Sequence, residues 1–207
     1  MPLLRETPPP DPGKPWLSKT YVEPWWKRLE FLDPLREPWQ PVSKVALIAW
    51  LVVYALYLIY AVRAHGGWLF MDNVFLPIHE GGHLLFGYLG SQTLMVLGGT
   101  LLQLCVPLAI TVYFAFQRHA TGTAFAAFFF FGNFLNVGTY MADARAQVLP
   151  LVSVGGGEVM HDWAYLFIKM GLINQDITIG HATRGLGWLG MLAVVGWLAW
   201  RGRAVKS

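Results

Sequence analysis

The sequence predicts an all-α membrane protein, a polytopic helix bundle with four to five transmembrane segments and an extended N-terminal tail. Three observations carry this. Of 207 residues, 55% are apolar and only 13% charged, and the mean hydropathy is +0.44. A soluble domain carries about 25% charged residues, so lipid is the natural solvent for this chain. Apolar runs near the length needed to cross a bilayer recur along the sequence. Finally, ten of the thirteen prolines fall within residues 1–43.

The tail, residues 1–43, combines those prolines with Trp16, Trp25, Trp26 and Trp39 and a mixture of basic and acidic residues. It is expected to be extended and without a core of its own. Within it, Trp25 to Leu32 has the composition of a short amphipathic helix lying among headgroups, where indoles sit comfortably; the plainer alternative is a linker. The membrane domain, residues 44–207, begins with the clearest span, Lys44 to Arg63, where 18 residues separate two charges. Further apolar segments run from Trp68 to Leu89, Leu94 to Phe116, Thr123 to Ala142 and Leu186 to Trp200. The short connection Gln117 to Gly122 predicts that the third and fourth segments pair antiparallel. Between Asp143 and Gly185 the chain is less apolar, with a Gly155-Gly156-Gly157 run and a patch, Trp163 to Ile173, too short to span. That patch reads as an interfacial or re-entrant helix.

Several classes are excluded or disfavoured. The net charge of +3 is spread over tails and loops, which suits anionic lipid rather than nucleic acid, and no nucleic-acid motif is present. The single cysteine, Cys105, lies in an apolar run and reads as a small packing residue. Prolines crowd the N-terminus where a cleavable signal would need an apolar core, so the run from Lys44 is expected to serve as the insertion signal. With the N-terminus cytoplasmic, ten of the fifteen Lys and Arg fall inside if five segments span, and eleven if the second is re-entrant. The expected location is a bacterial cytoplasmic (inner) membrane, multi-pass.

The chemistry concentrates in the second segment, which reads His79-Glu80-Gly81-Gly82-His83. Histidines at i and i+4 share one helix face, so two imidazoles can reach one zinc ion at about 2.0 to 2.1 Å. In hydrolases with this HExxH signature the intervening carboxylate, here Glu80, is a base that takes a proton from water acidified by the metal. An unpaired charge within a membrane helix costs about 2.5 kcal/mol or more, so this cluster demands partners. A metal would supply them; the alternative is a neutral hydrogen-bonded cluster that only locks helices together. Pro77 marks a kink or a helix start, and Gly81 and Gly82 allow close backbone approach.

A third ligand must come from elsewhere. Asn133, Asn136, Tyr140 and Asp143 recur at helical spacing, drawing a polar stripe expected to face the bundle interior. Asp143 at its end is the first choice for a two-His, one-carboxylate site, with pairing to Arg145 as its bland role. His161 and Asp162, after the triple glycine, are rival ligands. Gln103, downstream of Gly98, Gly99 and Thr100, is a candidate lining residue, although interhelical hydrogen bonding is the commoner use of such a side chain. His65, His119 and His181 lie near predicted segment ends.

These residues resemble the site-2 protease family of intramembrane zinc metalloproteases over roughly residues 68–150: a membrane-embedded HEGGH, a Gly-rich Gly98-Gly99-Thr100-Leu101-Leu102-Gln103 segment, and an Asn-bearing segment leading to an Asp. The resemblance implies zinc held by His79, His83 and Asp143, with Glu80 as catalytic base, cleaving peptide bonds of transmembrane helices. The family pattern places Pro between Asn and Asp and Gly after the Asp. Here Asn136 leads to Asp143 without a Pro, and Ala144 follows.

The leading expectation is therefore an intramembrane zinc metallopeptidase. The alternative is a catalytically inactive, protease-like structural subunit of a larger membrane complex, its tail contacting partner subunits. A transporter using the polar stripe is a third reading, without the broken-helix repeats that would favour it. Expected partners are membrane lipid and a membrane-protein substrate or subunit.

Overall fold

A computed structural model describes residues 37–64, 68–151 and 160–203. The sequence-based helix at Trp25 to Leu32 and the triple glycine lie outside the described residues. The described chain is helical, in six elements: α1 (Lys44–Arg63), α2 (Asp72–Gly87), α3 (Gln92–Phe116), α4 (Ala120–Ala142), α5 (Asp162–Met170) and α6 (Asp176–Arg203). Four helices are long and apolar enough to cross a membrane: α1, α3, α4, and α6 with its leading 3-10 turn. This is a multi-pass membrane protein.

Each helix start has a local cause. Ser43 accepts from Ala46 N at the head of α1, Ser91 from Leu94 N at α3, His119 from Gly122 N at α4, and His161 from Ala164 N at α5. Each side chain satisfies one of the amides that a helix leaves unpaired in its first turn. Helix α5 ends at Gly171 in the left-handed region, φ 71°, a cap that glycine adopts without a Cβ penalty. The sixth helix begins at Asp176, ten residues before the expected apolar start at Leu186. Its first turns are polar and Gly-rich, which hides them from a hydropathy reading.

The helices pack where side chains are smallest. A Cβ at Gly138 would come 2.5 Å from the Gly180 carbonyl oxygen, and one at Gly180 equally close to that of Gly138, so α4 and α6 cross backbone to backbone. Gly82 and Gly98 play the same part between α2 and α3, where a Cβ on Gly82 would lie 2.2 Å from the Gly98 oxygen. Without a hydrophobic force between helices in lipid, such close approach supplies dispersion contact instead. Two apolar clusters fill the remaining interior. One joins Tyr54, Phe128, Leu135, Met191 and Leu198 across α1, α4 and α6; the other gathers Val96, Val137, Trp163 and Phe167 where α5 covers α3 and α4. Helix α1 buries only Tyr54 and turns Val45, Ile48, Val52, Leu56 and Val62 outward, as a lipid-facing helix should.

Contacts fix the directions. Gly202 of α6 meets Leu47 of α1, Gly132 of α4 meets Met191 of α6, and Gly87 of α2 meets Met95 of α3, so each of these pairs runs antiparallel. The α3–α4 turn makes another antiparallel pair. Ser43, the turn at 117–119 and the end of α6 therefore share one end of the bundle. Helix α2 has 16 residues, short of the roughly 20 a span requires. Before it, Phe70 N donates to the Tyr60 hydroxyl at 3.0 Å and Leu69 packs into the cluster containing Tyr54. Residues 69 and 70 thus lie back along α1, and α2 returns the chain to the end where α3 begins.

Candidate metal centre

Helix α2 carries His79 and His83 one turn apart, with ring centroids 4.7 Å apart. Their environment decides which nitrogens are available. Asn133 Nδ2 donates to the Phe129 carbonyl one turn back at 2.8 Å, which leaves Asn133 Oδ1 to accept from Gln103 Nε2 at 2.9 Å. The same Gln103 nitrogen reaches Asn136 Oδ1 at 3.2 Å. Gln103 Oε1 is consequently the atom facing His79 Nδ1, at 3.0 Å. An oxygen there requires the proton to be on Nδ1. For His83 the argument is shorter: its Nδ1 lies 2.9 Å from the Met95 carbonyl oxygen, which can only accept. In the neutral rings both Nε2 atoms are therefore bare, and a hydrogen bond behind each ring holds it in place.

Both bare nitrogens point at one carboxylate. Asp162 Oδ2 stands 3.0 Å from His79 Nε2 and 3.3 Å from His83 Nε2. Three electron-rich atoms facing each other in a buried site repel unless a cation, a proton or a metal, lies among them. At metal bonds of about 2.0 to 2.1 Å, tetrahedral geometry puts ligand atoms about 3.3 Å apart, so these separations fit the edges of such a site within a few tenths of an ångström. Glu80 completes the group. One of its carboxylate oxygens and the two histidine nitrogens all lie within 4.8 Å of one another.

Space in front of the nitrogens is kept by a glycine. A Cβ on Gly99 would stand 2.6 Å from His83 Nε2 and 2.7 Å from His79 Nε2. Any larger residue would occupy the space in front of both nitrogens. Gly98, its neighbour, serves the helix crossing, so the two adjacent glycines have separate tasks.

Asp162 is mounted from outside the α2–α4 bundle, on the first turn of α5. Its backbone N–H donates to the Tyr140 hydroxyl at 3.1 Å, and the Tyr140 ring stacks against His161 with centroids 4.2 Å apart. His161 caps α5 through Nδ1, which accepts from Ala164 N at 3.2 Å. Its Nε2 lies 3.4 Å from Asp143 Oδ2, a long contact. Asp143 in turn accepts from Val148 N at 3.0 Å and Leu149 N at 3.1 Å, closing the turn after α4. Burial holds the His161 imidazole below its ordinary range even though Asp143 opposes the shift. Burial works against the charge of Asp162, but its contacts with His79 and His83 outweigh that and keep the carboxyl below the usual Asp range.

Of the residues singled out from sequence, His79, Glu80, His83, Gln103, Asn133, Asn136 and Asp162 meet in one network. The carboxylate set against the two histidines is Asp162. Asp143, the first choice by stripe and resemblance, holds the 148–149 turn and His161 instead, so it stands behind Asp162. Asp143 is the C-cap of α4, one turn past Tyr140, and its carboxylate serves backbone amides. Sequence reasoning missed Gly99 as the residue that leaves room and the Met95 carbonyl as the His83 anchor. A glycine pair in a helix facing a His pair is the signal that pointed there. Compared with protein-family models, curated proteins and solved structures, the chain matches none.

Proposed function

We propose that this chain is an intramembrane metallopeptidase in which His79, His83 and Asp162 hold a zinc ion and Glu80 is the general base, acting on peptide bonds of membrane-embedded substrates. The observation that supports this best is the convergence of two tautomer-locked Nε2 atoms and one carboxylate oxygen, with Glu80 alongside. When bound, the cation supplies Lewis acidity, polarising a carbonyl and bringing the pKa of water to about 7. Glu80 is half-buried and within reach of the same spot. It takes the proton from the attacking water and returns it to the leaving amine. Gln103 and the Met95 carbonyl keep the imidazoles aimed, and the apolar segments around them limit water. The position suits a substrate within the bilayer: Gly99 lies seven residues into α3, about 10 Å from its start.

The test pairs metal analysis with cleavage. Detergent-purified protein should carry one zinc per chain and cleave a transmembrane-helix substrate. Glu80→Gln should keep the metal and lose at least about 100-fold in rate, the typical worth of a positioned base. Purification of a metal-free wild type within a stoichiometric complex would instead mark a protease-like structural subunit.

A further inference from the structure

At the end of the bundle shared by Ser43, the α3–α4 turn and the last turn of α6, one indole carries two positive charges. Arg118 Cζ lies 4.4 Å from the centre of the Trp39 ring and Arg201 Cζ 5.1 Å from it. Trp197 meets Trp39 edge-on at 5.0 Å and has Arg201 at 6.0 Å from its own centre. We propose that Arg118 and Arg201, held on Trp39, form a site for the phosphate of an anionic membrane lipid headgroup.

The arrangement is built into the backbone. Gln40 N donates to the Arg118 carbonyl at 2.8 Å, Gln40 Nε2 to the Gln117 carbonyl at 3.1 Å, and Arg118 Nε to the Glu37 carbonyl at 2.7 Å. Residues 37–40 are thereby strapped across the turn. Arg118 itself has φ 52°, the left-handed region that side chains other than glycine, Asn and Asp seldom enter, and such outliers persist only when their surroundings hold them there. Arg118 stacks on the Trp39 ring and spends Nε on the Glu37 carbonyl, and among the described residues its outer N–H groups have no hydrogen-bond partner. Among the described residues neither guanidinium forms an ion pair with a carboxylate. Two like charges on one ring repel, and a shared anion relieves both.

The location names the anion. Spans α1, α3, α4 and α6 all reach this end, and tryptophans mark the headgroup level of a bilayer. The count along the sequence, with α2 re-entrant, assigns eleven of the fifteen Lys and Arg to the same side of the membrane as Lys44 and Arg118, the cytoplasmic one by the positive-inside rule, where anionic lipids are met. The planar fork of Arg matches phosphate oxygens in pairs.

The full chain in neutral detergent should be titrated with phosphatidylglycerol or phosphatidylcholine, with bound lipid counted by native mass spectrometry. Wild type should prefer phosphatidylglycerol, and Arg118→Gln and Arg201→Gln should each reduce that preference about fivefold, the attraction of one basic side chain to an anionic surface. Lys169→Gln, at the opposite end, should leave it unchanged. Equal binding of the two lipids by wild type, or an equal loss in Lys169→Gln, overturns the proposal. Displacement of phosphatidylglycerol by millimolar inorganic phosphate would overturn the lipid assignment in favour of a soluble phosphate. Should either variant fail to fold, wild type still decides: amide exchange of Trp39, Gln40, Val42, Ser43 and residues 117–119 must be slower in phosphatidylglycerol bilayers than in phosphatidylcholine, and identical exchange sinks the idea.

Discussion

Gly99 faces His83 so closely that a methyl group on its α-carbon would stand 2.6 Å from Nε2. Gly99→Ala therefore pushes a methyl into the space shared by both imidazoles. Under the proposed function, zinc per chain should drop below about one tenth of wild type in metal analysis, because a ligand displaced by a few tenths of an ångström no longer meets the bond lengths zinc requires. Circular dichroism should remain helical, since alanine favours a helix more than glycine does.

Asp162 and Asp143 are assigned different work, and the difference is measurable. Under the proposed function, Asp162→Asn strips the negative charge from the group set against the His pair and should abolish stoichiometric zinc. Asp143→Asn acts only through the 148–149 turn and His161, and should keep one zinc per chain with affinity reduced about 10- to 100-fold, the usual effect of residues behind the ligands. Competition with a chelator of known affinity gives both values. A ranking in which Asp143→Asn is the more severe change would restore Asp143 as the ligand.

Gln103→Leu removes the acceptor that fixes the His79 tautomer and the donor that serves both Asn133 and Asn136. Zinc affinity should weaken about 10- to 100-fold. Stability should also fall, by about 1–3 kcal/mol for each buried amide left unpaired. Thermal unfolding of the metal-free protein isolates the second effect.

Gly138→Ala offers the contrasting case. Its Cβ would press against the Gly180 carbonyl, on the side of α4 that meets α6, and α4 and α6 would have to separate. A loss of about 1–3 kcal/mol, typical of overpacking, should appear as a lower unfolding temperature. Zinc content should not change. A parallel loss of zinc would mean that the α4–α6 crossing and the His pair are coupled.

The fold was legible because lipid imposes a crude and strong rule: a span needs length and apolarity, and α1, α3 and α4 show both. The start of α6 escaped because its first turns carry Asp176, His181 and Arg184, which packing against α4 tolerates and hydropathy does not. The histidine spacing was local and therefore readable. Which carboxylate joins those histidines was not, since it depends on where α5 docks, more than 70 residues away in sequence, and Asp143 and Asp162 look alike until that docking is known. The orientation of Gln103 was hidden for a related reason: an amide reads the same in sequence whichever end it turns toward a ring.

Gly98 lets two helix backbones touch, and Gly99 keeps open the gap that results. The α2–α3 separation, fixed by main-chain atoms with no flexible side chain between them, thereby acts as a caliper for the site. One methylene added at either position changes its setting, so the distance of the His pair from α3 cannot be adjusted without disturbing the helix crossing.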